Sequence, residues 1–241
     1  MSIADNIKRV EDAIAAACAR VGRDPADITL VAVSKQKTVE DIVAAAAAGI
    51  QHFGENRVEE GIAKIDPVNR LLATPVTWHM VGHVQSRKAK RVFPLFDLVQ
   101  SVDSLRLAQK LSRLAQANNR TLGVLLEINI TGEASKYGLK GYNCCDDSAA
   151  TERLRQEIGA ILALGGLRVK GLMTMAPYGA DSQTLRGVFA DLFSLREELT
   201  GVFAISLPEL SMGMTDDYQI AIEEGATMIR IGRAIFGERK P

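Results

Sequence analysis

Apolar residues recur at helical spacing from the start of the chain. Ile3, Ile7, Val10, Ile14 and Val21 fall on one face, Ser2 stands at the N-cap with Asp5 three residues on, and Gly22 follows as a stop. The period then changes. The run 28–33 (ITLVAV) is short and β-rich, and an alanine-rich helical stretch follows over 39–48. From there the two patterns alternate. Strands are expected at 51–54, 76–81, 95–102, 122–130, 167–174, 207–211 and 227–231. Helices are expected from about Asn56, over 86–92, 104–117, 151–164, 181–199 and 216–224. The polar segment 142–148 reads as a loop.

Strands separated by helical segments imply parallel βαβ units, and eight of them predict an α/β fold closed into a single (β/α)8 TIM barrel, with the first helix as an addition outside the repeat. An open doubly wound sheet is the competing architecture. It usually carries a glycine-rich phosphate loop after its first strand, where this chain has Ser34-Lys35-Gln36-Lys37. Neither a linker nor a low-complexity tail interrupts the pattern, so 1–241 is expected to be one domain.

Composition narrows the function classes. Hydrophobic residues make up 47% of the chain and charged residues 24%, enough apolar surface for a packed core. Lys plus Arg and Asp plus Glu are equal at 29 each, which leaves no electrostatic footprint for nucleic acid or an acidic membrane surface. The start MSIADNIKRVEDAI lacks an apolar signal core, and no apolar run reaches the roughly 20 residues needed to span a bilayer. The cysteines, Cys18, Cys144 and Cys145, are odd in number, and adjacent cysteines rarely bridge each other. A reducing cytoplasmic setting is expected.

A (β/α)8 barrel carries its chemistry at the C-terminal strand ends. Polar residues gather at those places: Lys35 after the first strand, Asn56 and Arg57 after the second, His79 and His83 at the third, Ser101 and Asp103 at the fourth. Asn129 and Lys136 follow at the fifth, Met173 and Thr174 at the sixth, the run 211–215 (SMGMT) at the seventh, and Arg230, Gly232 and Arg233 at the eighth. A lysine drawn into a closed mouth loses hydration, which favours the neutral amine that attacks an aldehyde. Ser211, Gly213 and the Gly232-Arg233 turn could form an anion cup, since barrels often bind phosphate between the loops after strands seven and eight. His79 and His83 lack a third ligand nearby, so no metal site is expected. The basic run 86–91 (SRKAKR) lacks interleaved aromatics and reads as a solvated helix face.

Taken together the chain resembles the pyridoxal phosphate homeostasis proteins, a family similar to the barrel domain of alanine racemases. The resemblance rests on 31–35 (VAVSK), 53–57 (FGENR), 78–82 (WHMVG), 101–104 (SVDS), 129–133 (NITGE), 171–175 (GLMTM), 210–214 (LSMGM) and 230–232 (RIG), in order through nearly the whole chain. It implies pyridoxal 5′-phosphate held as a Schiff base on Lys35. It further implies a phosphate cup from Ser211 and the Gly213, Gly232 and Arg233 backbones, Arg230 at the pyridine nitrogen, and Asn56, His79 and Met173 along the ring. Arg87 stands where the family usually has Asn, and the segment from Gly141 to Asp146 departs from the usual loop.

The function expected is buffering, carrying or delivering the cofactor, with no catalytic residue. Apo-enzymes that use the cofactor are the possible recipients, and a monomer is expected. An amino-acid racemase is the alternative. A barrel binding another phosphorylated metabolite, with Lys35 used for its charge, is the third reading. A racemase of this lineage resembles a barrel plus a β-domain, and the chain is expected to lack that domain.

Overall fold

In the computed structural model, residues 2–133, 135–141 and 148–238 are described. Among these described residues nine strands form: β1 (Thr29–Val33), β2 (His52–Glu55), β3 (Thr77–Met80), β4 (Leu98–Val102), β5 (Leu122–Asn129), β6 (Leu139–Lys140), β7 (Leu167–Met173), β8 (Glu209–Ser211) and β9 (Met228–Ile231). Every pairing is parallel. The order β1-β2-β3-β4-β5-β7-β8-β9 returns to β1 through Thr29 opposite Met228, so eight strands close a barrel. β6 lies outside that ring, paired with the end of β5 at Ile128 and Asn129.

The helices are α1 (Ile3–Arg20), α2 (Val39–Ala47), α3 (Val58–Leu71), α4 (Ala89–Val92), α5 (Leu105–Ala117), α6 (Ser148–Leu162), α7 (Ser182–Phe203), α8 (Tyr218–Glu223) and α9 (Arg233–Phe236). The expected capping box opens α1: the Asp5 amide donates to the Ser2 hydroxyl at 3.1 Å, and the Ser2 amide donates to the Asp5 carboxylate at 3.0 Å. α1 packs on α2, α8 and α9 at the seam where β9 meets β1, and Asn6 Nδ2 donates to the Ile235 carbonyl at 2.8 Å. No helix among the described residues is long and apolar enough to cross a membrane.

Alternation along the strands divides the core in two. Outward residues such as Ala32, Phe53, Trp78, Leu126, Leu172 and Ile229 pack with the helices in the larger cluster. Val31, Leu98, Leu125, Met173 and Met228 form a separate cluster inside the barrel.

Three places differ from the sequence pattern. The basic run 86–91 is a 3-10 turn over Ser86–Lys88 leading into α4, not one regular helix, with Lys88 Nζ 2.7 Å from Glu59. β6 and α9 lie at places where periodicity is too short to register. Cys18 is buried on α1, where desolvation pushes its thiol pKa up, while Cys144, Cys145 and most of the 142–148 loop lie outside the described residues.

Candidate functional site at the mouth of the barrel

The parity that turns Val31 inward on β1 carries on through Val33 to Lys35, at the C-terminal rim. The turn bearing Lys35 is tied from below. Ser34 Oγ donates to Glu55 Oε1 at 2.7 Å, Lys64 Nζ donates to the Ser34 carbonyl at 2.9 Å, and the Gln36 amide donates to Glu60 Oε2 at 2.7 Å. Lys64 completes the net with 3.0 Å contacts to both Glu55 and Glu60. The residues on either side of Lys35 are therefore fixed by α3 and the end of β2, and Gln36 is held at φ 59.

Across the inside of the barrel runs a hydrogen-bond chain with one direction. Arg230 donates through Nη1 to Ser211 Oγ at 2.6 Å and through Nη2 to the Thr174 carbonyl at 2.8 Å. With its oxygen accepting, Ser211 donates to Gln100 Oε1 at 2.7 Å. The Gln100 amide nitrogen lies 2.8 Å from His79 Nδ1 and donates to it, which leaves the His79 proton on Nε2, 3.0 Å from His52 Nδ1. Burial holds His79 neutral, with its pKa lowered to about 3. Burial also lowers Arg230, to about 10, against the pull of Asp217 and Glu127, so at neutral pH it remains a cation beneath the mouth.

Glu127 is inward on β5, two residues on from Leu125, and 3% exposed. Its pKa is raised to about 7, first by burial and then by Asp103, with Arg230 pulling the other way. Asp103, past β4, lies 2.9 Å from His83 Nδ1, and the His83 ring stacks on Tyr137 with centroids 3.6 Å apart. His79 and His83 thus face different surroundings, and no cluster of three metal-ligating side chains occurs among the described residues.

The loops after β8 and β9 carry the residues expected in the anion cup. Ser211 is fully buried at the end of β8, and its hydroxyl accepts from Arg230 and donates to Gln100. Gly213 has φ +92, and a Cβ there would lie 2.6 Å from the Ala221 side chain; its carbonyl accepts from the Arg230 amide at 3.0 Å. Packing alone accounts for that glycine. Thr215, in the same loop, is partly exposed and presents a hydroxyl. Gly232 differs: a Cβ would meet nothing closer than the Val33 carbonyl at 3.4 Å, so packing does not require glycine there. Its absent side chain leaves the backbone open beside the end of β1, and the Arg233 and Ala234 amides that open α9 have no acceptor a turn behind them in the helix. The Arg233 side chain turns away to Asp216.

The remaining expected residues separate by depth. Met173 is buried inside the barrel, and His79 lies below the mouth with both nitrogens engaged. Asn56 is partly exposed after β2, its carbonyl so close to Gly82 that a Cβ there would stand 2.2 Å away. Sequence reading passed over His52, Gln100, Glu127 and the Glu55–Lys64 pair. The signal was present for two of them: Gln100 and Glu127 are polar residues at inward parity in mostly apolar strands.

The sequence family described as alanine racemase, N-terminal domain, matches residues 6–240. A pyridoxal phosphate homeostasis protein of Pseudomonas aeruginosa is 40% identical over 238 residues, covering 99% of this chain and 96% of the relative. One of Aquifex aeolicus is 36% identical over the full length of both. Among solved structures, PipY of Synechococcus elongatus PCC7942, determined with PLP bound, superposes with a TM-score of 0.81 at 33% identity, covering 98% of this chain and 100% of that one. An alanine racemase of Clostridium difficile 630 shares the fold at 14% identity and a TM-score of 0.73; the match covers 58% of its chain.

Proposed function

The chain belongs to the pyridoxal phosphate homeostasis proteins, built on the alanine racemase N-terminal barrel, and from that premise we propose that it binds pyridoxal 5′-phosphate as a Schiff base on Lys35 and buffers, carries or delivers it to apo-enzymes inside the cell. The observation that carries this reading is the open backbone at Gly232 beside Val33 at the end of β1, two residues before Lys35, and two residues past the buried cation Arg230. A phosphate brought against main-chain amides needs a residue without a side chain at the point of approach.

The residues divide the work as follows. Lys35 supplies the amine and the Glu55–Lys64–Glu60 net fixes its turn. The Gly232, Arg233 and Ala234 amides, with the Thr215 hydroxyl, take the phosphate; Ser211 and Gly213 serve the site by holding Arg230. Arg230 faces the ring nitrogen, Asn56 lines the ring, and His79 and Met173 form the floor. Bound there, the cofactor supplies an aldehyde that condenses with a primary amine. An arginine at the ring nitrogen cannot give up its proton at neutral pH, so it does not build the electron sink that carbanion chemistry requires. That favours exchange of the cofactor over turnover of a substrate.

The test is reduction with borohydride in the presence of the cofactor. The label should fall on the peptide containing Lys35, and a Lys35→Ala protein that keeps the full imine absorbance would remove the assignment. Gly232→Ala should fold normally and retain unphosphorylated pyridoxal while losing affinity for the phosphorylated form by about tenfold or more, the equivalent of one charge-assisted hydrogen bond.

The racemase reading has one observation on its side. Racemisation needs a second acid–base group on the opposite face of the substrate, and Tyr137 does stand at the mouth, stacked on His83. Tyr178 is 88% exposed and Tyr218 is buried in α8. Incubation with L- and D-alanine in deuterated water separates the readings. Deuterium at Cα with inversion at about one turnover per second or more would establish the enzyme. Slow exchange without inversion fits the carrier.

A further inference from the structure

Glu127 is a charged group inside the barrel that the hydrogen-bond network leaves incomplete. It is 3% exposed, and its Oε2 has no partner. Met173, opposite it on β7, and Leu125, below it on β5, offer no donor. The surrounding charges are few. Asp103 stands past β4 and is held by His83 from past β3; Arg230 lies on β9 with Asp217 behind it. β1 brings Lys35 at the rim. β2 contributes His52, whose pKa burial lowers, and β8 contributes uncharged Ser211.

Ionised, this carboxylate is held by the field of Arg230 against both desolvation and Asp103. Such a balance changes when an anion arrives over Arg230, because the cation is then shared. A protonated carboxyl also gains a use, since its O–H becomes a donor for an oxygen of the incoming ligand.

We propose that Glu127 is a ligand-contacting residue that takes up one proton as the anionic cofactor seats over Arg230, so that retention of the cofactor weakens as pH rises through neutrality. The proposal rests on the reading of the mouth as a pyridoxal phosphate site. The sign follows from linkage. The bound state holds the Glu127 proton more tightly than the free state, whose value is about 7. Affinity is therefore full below that value and falls above it by up to about tenfold per pH unit, until the bound form also titrates.

The experiment measures dissociation constants by equilibrium dialysis for the wild type and Glu127→Gln, from about pH 6 to about pH 9. Titration of the cofactor's own phosphate and aldehyde chemistry is common to both proteins and cancels in their ratio. The wild-type to variant ratio of dissociation constants should climb by close to tenfold per unit above neutrality. A ratio independent of pH, with both proteins binding, overturns the inference and leaves the site reading intact. If the variant does not fold, wild type labelled with ¹³C at the glutamate carboxyls gives the same quantity. The buried resonance should titrate near neutrality in the free protein and at higher pH in the complex, and an unchanged midpoint overturns the proposal. Absence of any imine absorbance in the wild type is a separate signal, which removes the site reading and the inference together.

Discussion

Arg230 and His79 belong to one chain of hydrogen bonds, and burial acts on them alike by disfavouring the charged form. Arg230 stays charged because its unshifted value is high, while His79 stays neutral across the physiological range. Glu127 is shifted upward, which gives the barrel two groups with opposite effects on stability. An unfolded histidine binds its proton below about 6.5, whereas folded His79 refuses it down to about 3, so folding loses stability as pH falls through that window. Folded Glu127 keeps a proton up to about 7 that the unfolded chain releases at about 4.5, so its contribution is lost as pH rises. Between about 4.5 and 6.5 the two slopes oppose each other, each at roughly 1.4 kcal/mol per pH unit. Replacing His79 with Gln removes the first slope. Urea denaturation should show that variant gaining stability on acidification from about pH 6.5 to about pH 5, where the wild type changes little. A variant with the wild-type slope would mean that His79 is not held neutral.

Strands and helices of ordinary length were legible in the sequence because burial imposes a period on them: α1 with its Ser2–Asp5 box, β5 as an apolar run and α7 as a long amphipathic segment. What escaped was short or was specified by tertiary contact. β6 is a two-residue strand set only by its pairing with the end of β5 at Ile128 and Asn129, and α9 is a single turn that follows Gly232. The site divides the same way. Lys35, Ser211, Arg230 and Gly232 were readable as residues at strand ends, whereas the link from Ser211 to Arg230 and Gln100 was not, since only the folded register sets its hydroxyl between them. Glycines carry some of this tertiary information. Gly171, where β7 meets β8, has a missing Cβ position 1.8 Å from the Glu209 carbonyl. Gly171→Ala must push the two strands apart, and because Met173 and Ser211 pair further along the same ladder, the floor of the mouth moves with them. The expected cost is roughly 3 kcal/mol in urea denaturation. A change within about 0.5 kcal/mol, the scatter of neutral surface substitutions, would contradict that close approach.

At the scale of the whole molecule, closure sets the function: eight parallel strands bring residues from β1, β3, β4, β5, β8 and β9, far apart in sequence, to one face. Closure also imposes an order in time. α1 seals the seam between the last strand and the first, yet its partners α8 and α9 are the final helices of the described chain, tied to it by the Asn6–Ile235 contact and by Arg20 to Glu223. α1 is synthesised well before α8 and α9 and must wait for them. Until α8 and α9 emerge, α1 has only α2 to pack on, so the stripe of Ile7, Val10 and Ile14 lacks most of its cover and is exposed to chaperones and proteases. Nascent chains stalled before Tyr218 should be cut readily within α1, and chains released past Phe236 should resist cutting there. Early protection of α1 on stalled chains would show that the barrel can be assembled without waiting for its own seam.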